Sequence, residues 1–192
     1  MKTLDQCKWK AFKIDDILTI EPCKCSKVCE IKDGSVPYVG ATNQNNGVLK
    51  FIAPPSSMIT KGNCIAFICD GDGSIGYSIY RQSDFVGSTT VKVGRCNNIN
   101  KYTGMFITTI ADLVRPKYSF GYKRNERNLK REKIMLPVTV KDEPDWAFME
   151  EYMKAKEYQL LMQYQKHIAQ VIDNQQITPP IALITNNGEH LG

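Results

Sequence analysis

Histidine is scarce in this chain: 192 residues contain only His167 and His190. Neither stands near a cysteine or serine in a setting that would generate a nucleophile. No run of 18 apolar residues occurs, so no membrane-spanning helix is expected. Lys2 is not followed by the apolar stretch of a secretory signal, and a cytoplasmic protein is expected. No internal repeat is visible. The spacing Gly71-x-Gly73-x-x-Gly76 matches a dinucleotide-binding fingerprint. It leads into Tyr77-Ser78-Ile79-Tyr80, however, a strand pattern with no helix N-terminus to receive a pyrophosphate.

Apolar residues make up 42% of the chain and charged residues 23%. That balance supports an ordinary core and argues against wholesale disorder. The length suits one domain plus an appendage. Seven cysteines are an odd number, and a reducing cytosol keeps thiols free. Cys23, Cys25 and Cys29 form C-x-C-x3-C. Zinc would need a fourth ligand, from Cys7 or Cys64, and the spacing is not that of a standard knuckle. The reading adopted is free thiols and no metal. Asp70-Gly71-Asp72-Gly73 lacks the spaced acids and closing glutamate of a calcium loop, and reads as a tight turn.

The formal net charge is +5. Its distribution is uneven. Residues 115–133 hold eight basic side chains (Arg115, Lys117, Lys123, Arg124, Arg127, Lys130, Arg131, Lys133) against Glu126 and Glu132, a local +6. Tyr118, Phe120 and Tyr122 lie among them. Basic residues interleaved with aromatics suit a phosphate backbone, although a solvated basic loop and helix has the same composition.

Trp9 to Ile14 alternates in part, and Asp15 to Leu18 begins a helical turn. Residues 19–36 are turn-rich. Val36 to Val39 and Val48 to Ala53 read as strands flanking a polar loop, Thr42 to Gly47; Pro54-Pro55 ends the second strand. Cys64 to Cys69 is a continuous apolar run, the pattern of a strand buried on both faces. Ser74 to Tyr80 and Phe85 to Val93 read as further strands. Helices are expected over Tyr102–Val114 and Asn125–Lys133, then a strand over Ile134–Val140. Pro144 suits the first turn of a long helix, from about Asp145 to Ile172. An isolated helix of that length needs a packing partner. The expected fold class is mixed α+β: a curved, largely β core with short helices, then one long helix. The expected division is a domain over 1–142, a helix over 143–173 and a loose tail over 174–192.

Several separated pieces carry a family resemblance. They are Pro37-Tyr38-Val39-Gly40-Ala41-Thr42-Asn43-Gln44-Asn45-Asn46-Gly47-Val48, the turn 71–76 leading to Tyr80-Arg81-Gln82, and Tyr118 to Arg124. Leu136-Pro137-Val138 with Glu143-Pro144-Asp145-Trp146-Ala147-Phe148-Met149-Glu150-Glu151-Tyr152 completes the set. In this order they resemble one target-recognition domain of the DNA specificity (S) subunits of type I restriction–modification systems. The resemblance covers about Lys8 to Tyr158 and extends to the specificity domains of single-chain type II restriction–methylation enzymes. The Cys23–Cys29 segment departs from the family pattern.

The resemblance implies sequence-specific recognition of double-stranded DNA with no catalysis by this chain. The methyltransferase Asn/Asp-Pro-Pro-aromatic motif is absent, and Glu30-Ile31-Lys32 has no partner acid for a nuclease. Base reading is expected from Thr42, Asn43, Gln44, Asn45 and Asn46, since Asn and Gln bond adenine bidentately, and from Arg81 and Gln82. Lys123, Arg124, Arg127, Lys130 and Arg131 are expected on phosphates, with Tyr118 and Tyr122 on phosphate or sugar. The family pairs two such domains through two long helices. One domain with one helix, starting a few residues after Met1, reads as a half-length S subunit. A homodimer through Met149, Met153, Leu160, Leu161, Tyr164, Ile168 and Val171 would read a bipartite site. An adenine methyltransferase (M) subunit and a motor-nuclease (R) subunit are the implied partners. S-adenosylmethionine, ATP and Mg are expected only on those partners, with no cofactor on this chain. Two alternatives stand beside this reading: an interaction or regulatory protein that docks on modification subunits without reading DNA, and an excised recognition domain of a larger restriction–methylation enzyme.

Overall fold

The computed structural model describes residues 2–23, 25, 30–71, 73–119 and 121–175, with residues 174 and 175 as backbone only. Cys29, Asp72, Phe120 and the expected tail beyond 175 therefore lie outside the described residues. The chain divides into two units, Met1–Met153 and Lys154–Gly192.

In the first unit, β1 (Trp9–Lys13) runs into a single helical turn, α1 (Ile14–Ile17), and β2 (Thr19–Pro22) follows. Then come β3 (Asp33–Val39), β4 (Val48–Ile52), β5 (Cys64–Ile68), β6 (Ser78–Arg81), β7 (Val86–Gly87) and β8 (Val91–Arg95). Helices α2 (Lys101–Asp112) and α3 (Glu126–Arg131), strand β9 (Lys133–Pro137) and helix α4 (Trp146–Gln175) complete the order. The strands form three sheets: β1-β9, β2-β8-β5-β6 and β4-β3-β7. The pairings between these strands are antiparallel except that of β3 with β7. The mixed α+β class expected from the sequence is the one observed.

Strand β5 explains the layering. Every one of its residues is buried, so its period-2 alternation feeds two cores at once. Ile65, Phe67 and the following Cys69 join Phe106, Ile107 and Ala111 of α2, together with Leu136 and Met149. Cys64 and Ala66 join Val39, Phe85, Val91 and Val93 on the other side. Truncating Phe67 to alanine is expected to cost about 3–5 kcal/mol.

Helix α2 is fixed at its start by Asn100, whose side chain accepts from the N–H groups of Tyr102 and Thr103 at 2.8 and 3.1 Å. The Thr103 hydroxyl accepts in return from the Asn100 N–H at 2.9 Å, a reciprocal capping box. Gly104 lets this helix lie against Tyr80: a Cβ there would sit 2.3 Å from the ring.

Five local expectations change, the first being that Ser74 to Tyr80 is strand only from Ser78 onward, with residues 73–76 in a turn. Residues 19–36, expected to be turn-rich, also contain β2 and the start of β3. Pro22 is tolerated because β2 is an edge strand, where a missing N–H breaks no ladder. Phe85 to Val93 is two strands in different sheets, separated by residues 88–90. Pro144 lies outside the long helix; Asp145 caps it, accepting from the Phe148 N–H at 3.0 Å. The boundary also moves, because the first two turns of α4 belong to the first unit. Met149 is fully buried there and so is not free for a partner helix, and Met153 packs half-buried on the same core. The aromatic chain Trp9, Phe106, Tyr152, Phe148, with neighbouring ring centroids 5.9–6.3 Å apart, joins the helix start to α2.

The second unit is described as helix through residue 175. Leu160, Leu161, Tyr164 and Ile168 are exposed on it, with Tyr158 and Met162; Val171 is half-buried.

Candidate nucleic-acid interface

The loop 42–47 joins β3 to β4 and is closed at its root by the Gly40 N–H donating to the Gly47 carbonyl at 3.0 Å. The Thr42 hydroxyl accepts from the Gln44 N–H at 3.1 Å. Asn45 and Asn46 have φ of +48° and +52°. Asparagine tolerates this left-handed conformation better than most residues, so backbone geometry alone accounts for the residue type at 45 and 46. Asn43, Gln44, Asn45 and Asn46 are all exposed.

The fold sets this loop beside the glycine turn that precedes β6. The Asn43 side-chain nitrogen donates to the Tyr77 hydroxyl at 3.3 Å and to the Gly73 carbonyl at 3.5 Å. On its other flank, Arg81 donates to the Asn46 carbonyl at 3.4 Å and lies over the Phe85 ring. Burial pulls the Arg81 guanidinium below its ordinary pKa. Gln82 beside it is exposed.

Tyr77 is the centre of the arrangement. The Arg115 guanidinium stacks 3.4 Å above its ring centroid. Tyr77 carried no distinguishing signal in the sequence, and Arg115 stood there only as one cation of the basic run. Between the glycine turn and residues 112–123 lies a cleft of about 750 Å³, lined by Gly71, Gly73, Arg115, Tyr118 and Lys123 among others. Lys123 pairs with Asp70 at 2.7 Å. The hydrogen bond from Lys123 holds the Asp70 carboxyl below its ordinary value. Burial raises Asp112 in the cleft wall, opposed by the Ser78 N–H that donates to it. Tyr122 is exposed and stacks on Tyr118, with ring centroids 5.8 Å apart.

Three buried side-chain polar atoms have no hydrogen-bond partner among the described residues: Ser74 Oγ, Arg81 Nε and Arg115 Nε. All three belong to this same neighbourhood. Buried polar groups are ordinarily satisfied, and these three are exceptions to that rule.

Two expected contact residues are instead structural. Arg124 is completely buried. Its guanidinium pairs with Glu132 and donates to the Gly76 carbonyl at 2.7 Å, the Tyr77 carbonyl at 3.3 Å and Ser78 Oγ at 3.0 Å. It faces Phe67 and Tyr118 and has no surface left for phosphate. Tyr118 is buried with its hydroxyl on Glu132. Burial and that hydrogen bond both push its pKa up.

The helix α3 residues lie apart from the loop and cleft. Arg127, Lys130 and Arg131 line a separate shallow depression with Asp15 and Glu126, and Lys130 pairs with Glu126 at 3.0 Å. The +6 segment is therefore partly neutralised by its own fold. Its exposed cations include Arg127 and Arg131.

Of the cysteine cluster, Cys23 and Cys25 are buried in two different packing groups. Burial raises the Cys23 thiol pKa and pushes Cys64 up to about 11. No group of three or more metal-ligating side chains occurs among the described residues.

Residues 7–174 match the type I restriction modification DNA specificity domain. The specificity subunit S.BcgI of a type II restriction enzyme, from Heyndrickxia coagulans, is 30% identical over 159 residues, covering 82% of this chain and 46% of that protein. The chain thus spans about half the length of this curated relative. Among solved structures, the S subunit of a type I restriction-modification system from M. genitalium superposes with a TM-score of 0.57 at 17% identity, covering 89% of this chain and 44% of that one. The HsdS subunit from Thermoanaerobacter tengcongensis gives 0.53 at 9% identity, over 82% and 39%. A cap-stabilised long helix, a layered α+β core and a match running through nearly all of the described residues agree: this chain belongs to the type I restriction modification DNA specificity domain family.

Proposed function

We propose that this chain reads a short sequence in double-stranded DNA and directs methyltransferase and endonuclease subunits of a restriction–modification system to it. The observation that carries the reading is the convergence of loop 42–47, the turn before β6, Arg81, Arg115 and Lys123 on one polar surface of a DNA specificity domain.

Work divides by chemistry. Asn43, Gln44 and the Arg81–Gln82 corner present amide and guanidinium groups to base edges. Lys123, Tyr122 and Arg115 sit around the cleft to meet phosphates, and Arg127, Lys130 and Arg131 of α3 extend the backbone contact. Asp70 must release Lys123 for this, an exchange of one anionic partner for another. Arg124 and Tyr118 hold the surface from below.

This chain performs no catalysis and carries no cofactor; S-adenosylmethionine, ATP and Mg act on partner subunits. The exposed apolar residues of α4, Leu160, Leu161, Tyr164 and Ile168, supply a helix face for a second copy or a modification subunit. A twofold pair of chains reads a spaced, palindromic site, because site symmetry mirrors protein symmetry.

Selection from a randomised duplex library at two salt concentrations, with and without a methyltransferase subunit, tests the proposal. An enriched motif, especially a spaced palindrome, is expected. Salt-sensitive binding with no enriched motif in any condition would overturn it.

A further inference from the structure

Resting on the proposed DNA reading, we infer that Asn43 is a specificity residue that reads an exocyclic amino group in the major groove through its carbonyl oxygen alone. The orientation of its carboxamide carries this inference. One neighbour is the Gly73 carbonyl, which accepts and never donates. The atom facing it must therefore be the amide nitrogen, since the reverse orientation sets two oxygens against each other. The second N–H is directed at the Tyr77 hydroxyl. Both donors are engaged by the protein at its surface, and the exposed side chain has Oδ1 left to offer.

Each of the two contacts is long for an N–H···O bond, so the bias depends on Tyr77 staying in place. Its position is fixed from three directions. Arg115 stacks on its ring at 3.4 Å. Its carbonyl accepts from the Ile68 N–H at 2.8 Å and from the buried Arg124 at 3.3 Å. Tyr77 is thus a positioning residue that sets the chemistry Asn43 displays.

Asparagine usually pairs bidentately with adenine, giving a donor to N7 and an acceptor to N6. With its donors committed, Asn43 contributes only the second half. Its partner is the amino group of adenine or cytosine at a fixed place on one strand, and the purine N7 of that pair is not sensed.

Base analogues separate the two modes. The governed position is found as the one whose enrichment is lost in N43A. The amino-bearing base there is then replaced by its amino-free analogue, purine for adenine or pyrimidin-2-one for cytosine. In a separate duplex, the purine of the pair is replaced by its 7-deaza form. Wild type is expected to lose affinity about 2- to 12-fold, the range of one hydrogen bond, on the amino-free duplex and to ignore the 7-deaza one. N43A should ignore both. Y77F keeps the stacked ring but frees one donor, and should become sensitive to the 7-deaza change. This gain is not a consequence of mere destabilisation. Equal losses for wild type on both duplexes, or an N43A motif identical to the wild-type motif, would overturn the inference while leaving DNA reading intact. A wild-type protein with no motif at all would sink the DNA reading itself.

Discussion

Replacing Arg124 with methionine tests whether this cation serves the core or the DNA. In the structure its side chain is fully buried and spans Glu132, two backbone carbonyls and Ser78 Oγ. Methionine fills much of the volume but leaves the Glu132 carboxylate, itself buried, with only Tyr118 as hydrogen-bonding partner among the contacts described. Breaking a buried pair from one side costs about 3–5 kcal/mol. In a chain of this size each kcal/mol lowers Tm by roughly 2–4 °C, so a fall of roughly 6–20 °C is expected. Total stability of such domains is about 5–15 kcal/mol, which makes the loss large but survivable. The double variant R124M/E132L removes the stranded charge and should regain a substantial part of the loss. Urea or thermal unfolding of the three proteins supplies the numbers. Binding to nonspecific duplex, measured well below Tm, should keep its salt dependence. If R124M instead melts like wild type and its slope of log K against log salt falls by about 0.9, the amount one phosphate contact contributes, the burial reasoning is wrong.

Three further outcomes follow from the same structure. Asn100→Ala should cost more than the about 1 kcal/mol of a lost cap, because the Asn100 Nδ2 also donates to the Glu150 carboxylate at 2.9 Å; the loss is read from unfolding curves. The Asp70 carboxyl is held below its ordinary value of 3.8 by Lys123, so the stability from this pair is fully present above pH 3.8 and is lost as pH falls through the lower folded pKa. K123A should therefore flatten the acid limb of a stability–pH profile, a difference seen by comparing unfolding midpoints at pH 5 and pH 3. Leu160→Lys with Leu161→Lys should leave Tm of the first unit unchanged and convert a proposed dimer to monomer in sedimentation; an unchanged mass would count against pairing through this face.

Legibility in the sequence followed the physics that generates each signal. Cys64 to Ile68 stood out because a strand buried on both faces must be apolar throughout. The helix at 101–112 was visible from its spacing and loop 42–47 from its polarity. Strand β2 was hidden by Pro22, whose tolerance depends on being at a sheet edge, which is a fact of tertiary pairing. Arg124 was grouped with the surface cations around it because one-dimensional charge does not say which side chain turns inward; its partner Glu132 lies eight residues on, beyond the three- or four-residue spacing at which helix side chains pair. The resemblance singled out loop 42–47 as a base-reading candidate, but Tyr77 and Arg115 had no signal of their own. Their juxtaposition arises only when β6 and the end of α2 are brought together. Met149 and Met153 fitted the apolar pattern of a partner-binding helix, yet the same pattern serves a core whenever the helix starts within one.

The root of loop 42–47 is tied by a single backbone bond between Gly40 and Gly47, and the loop's internal turns use backbone groups and the Thr42 hydroxyl. The strands on either side take their register from pairing with each other and with β7, not from the letters of the loop. The side chain at 44 is therefore exchangeable at nearly constant folding stability, and that at 43 at the loss of two long surface bonds, while 45 and 46 demand residues that accept a left-handed backbone. Under the proposed DNA reading, a protein built this way changes its target through a few exposed positions while its strands keep their register.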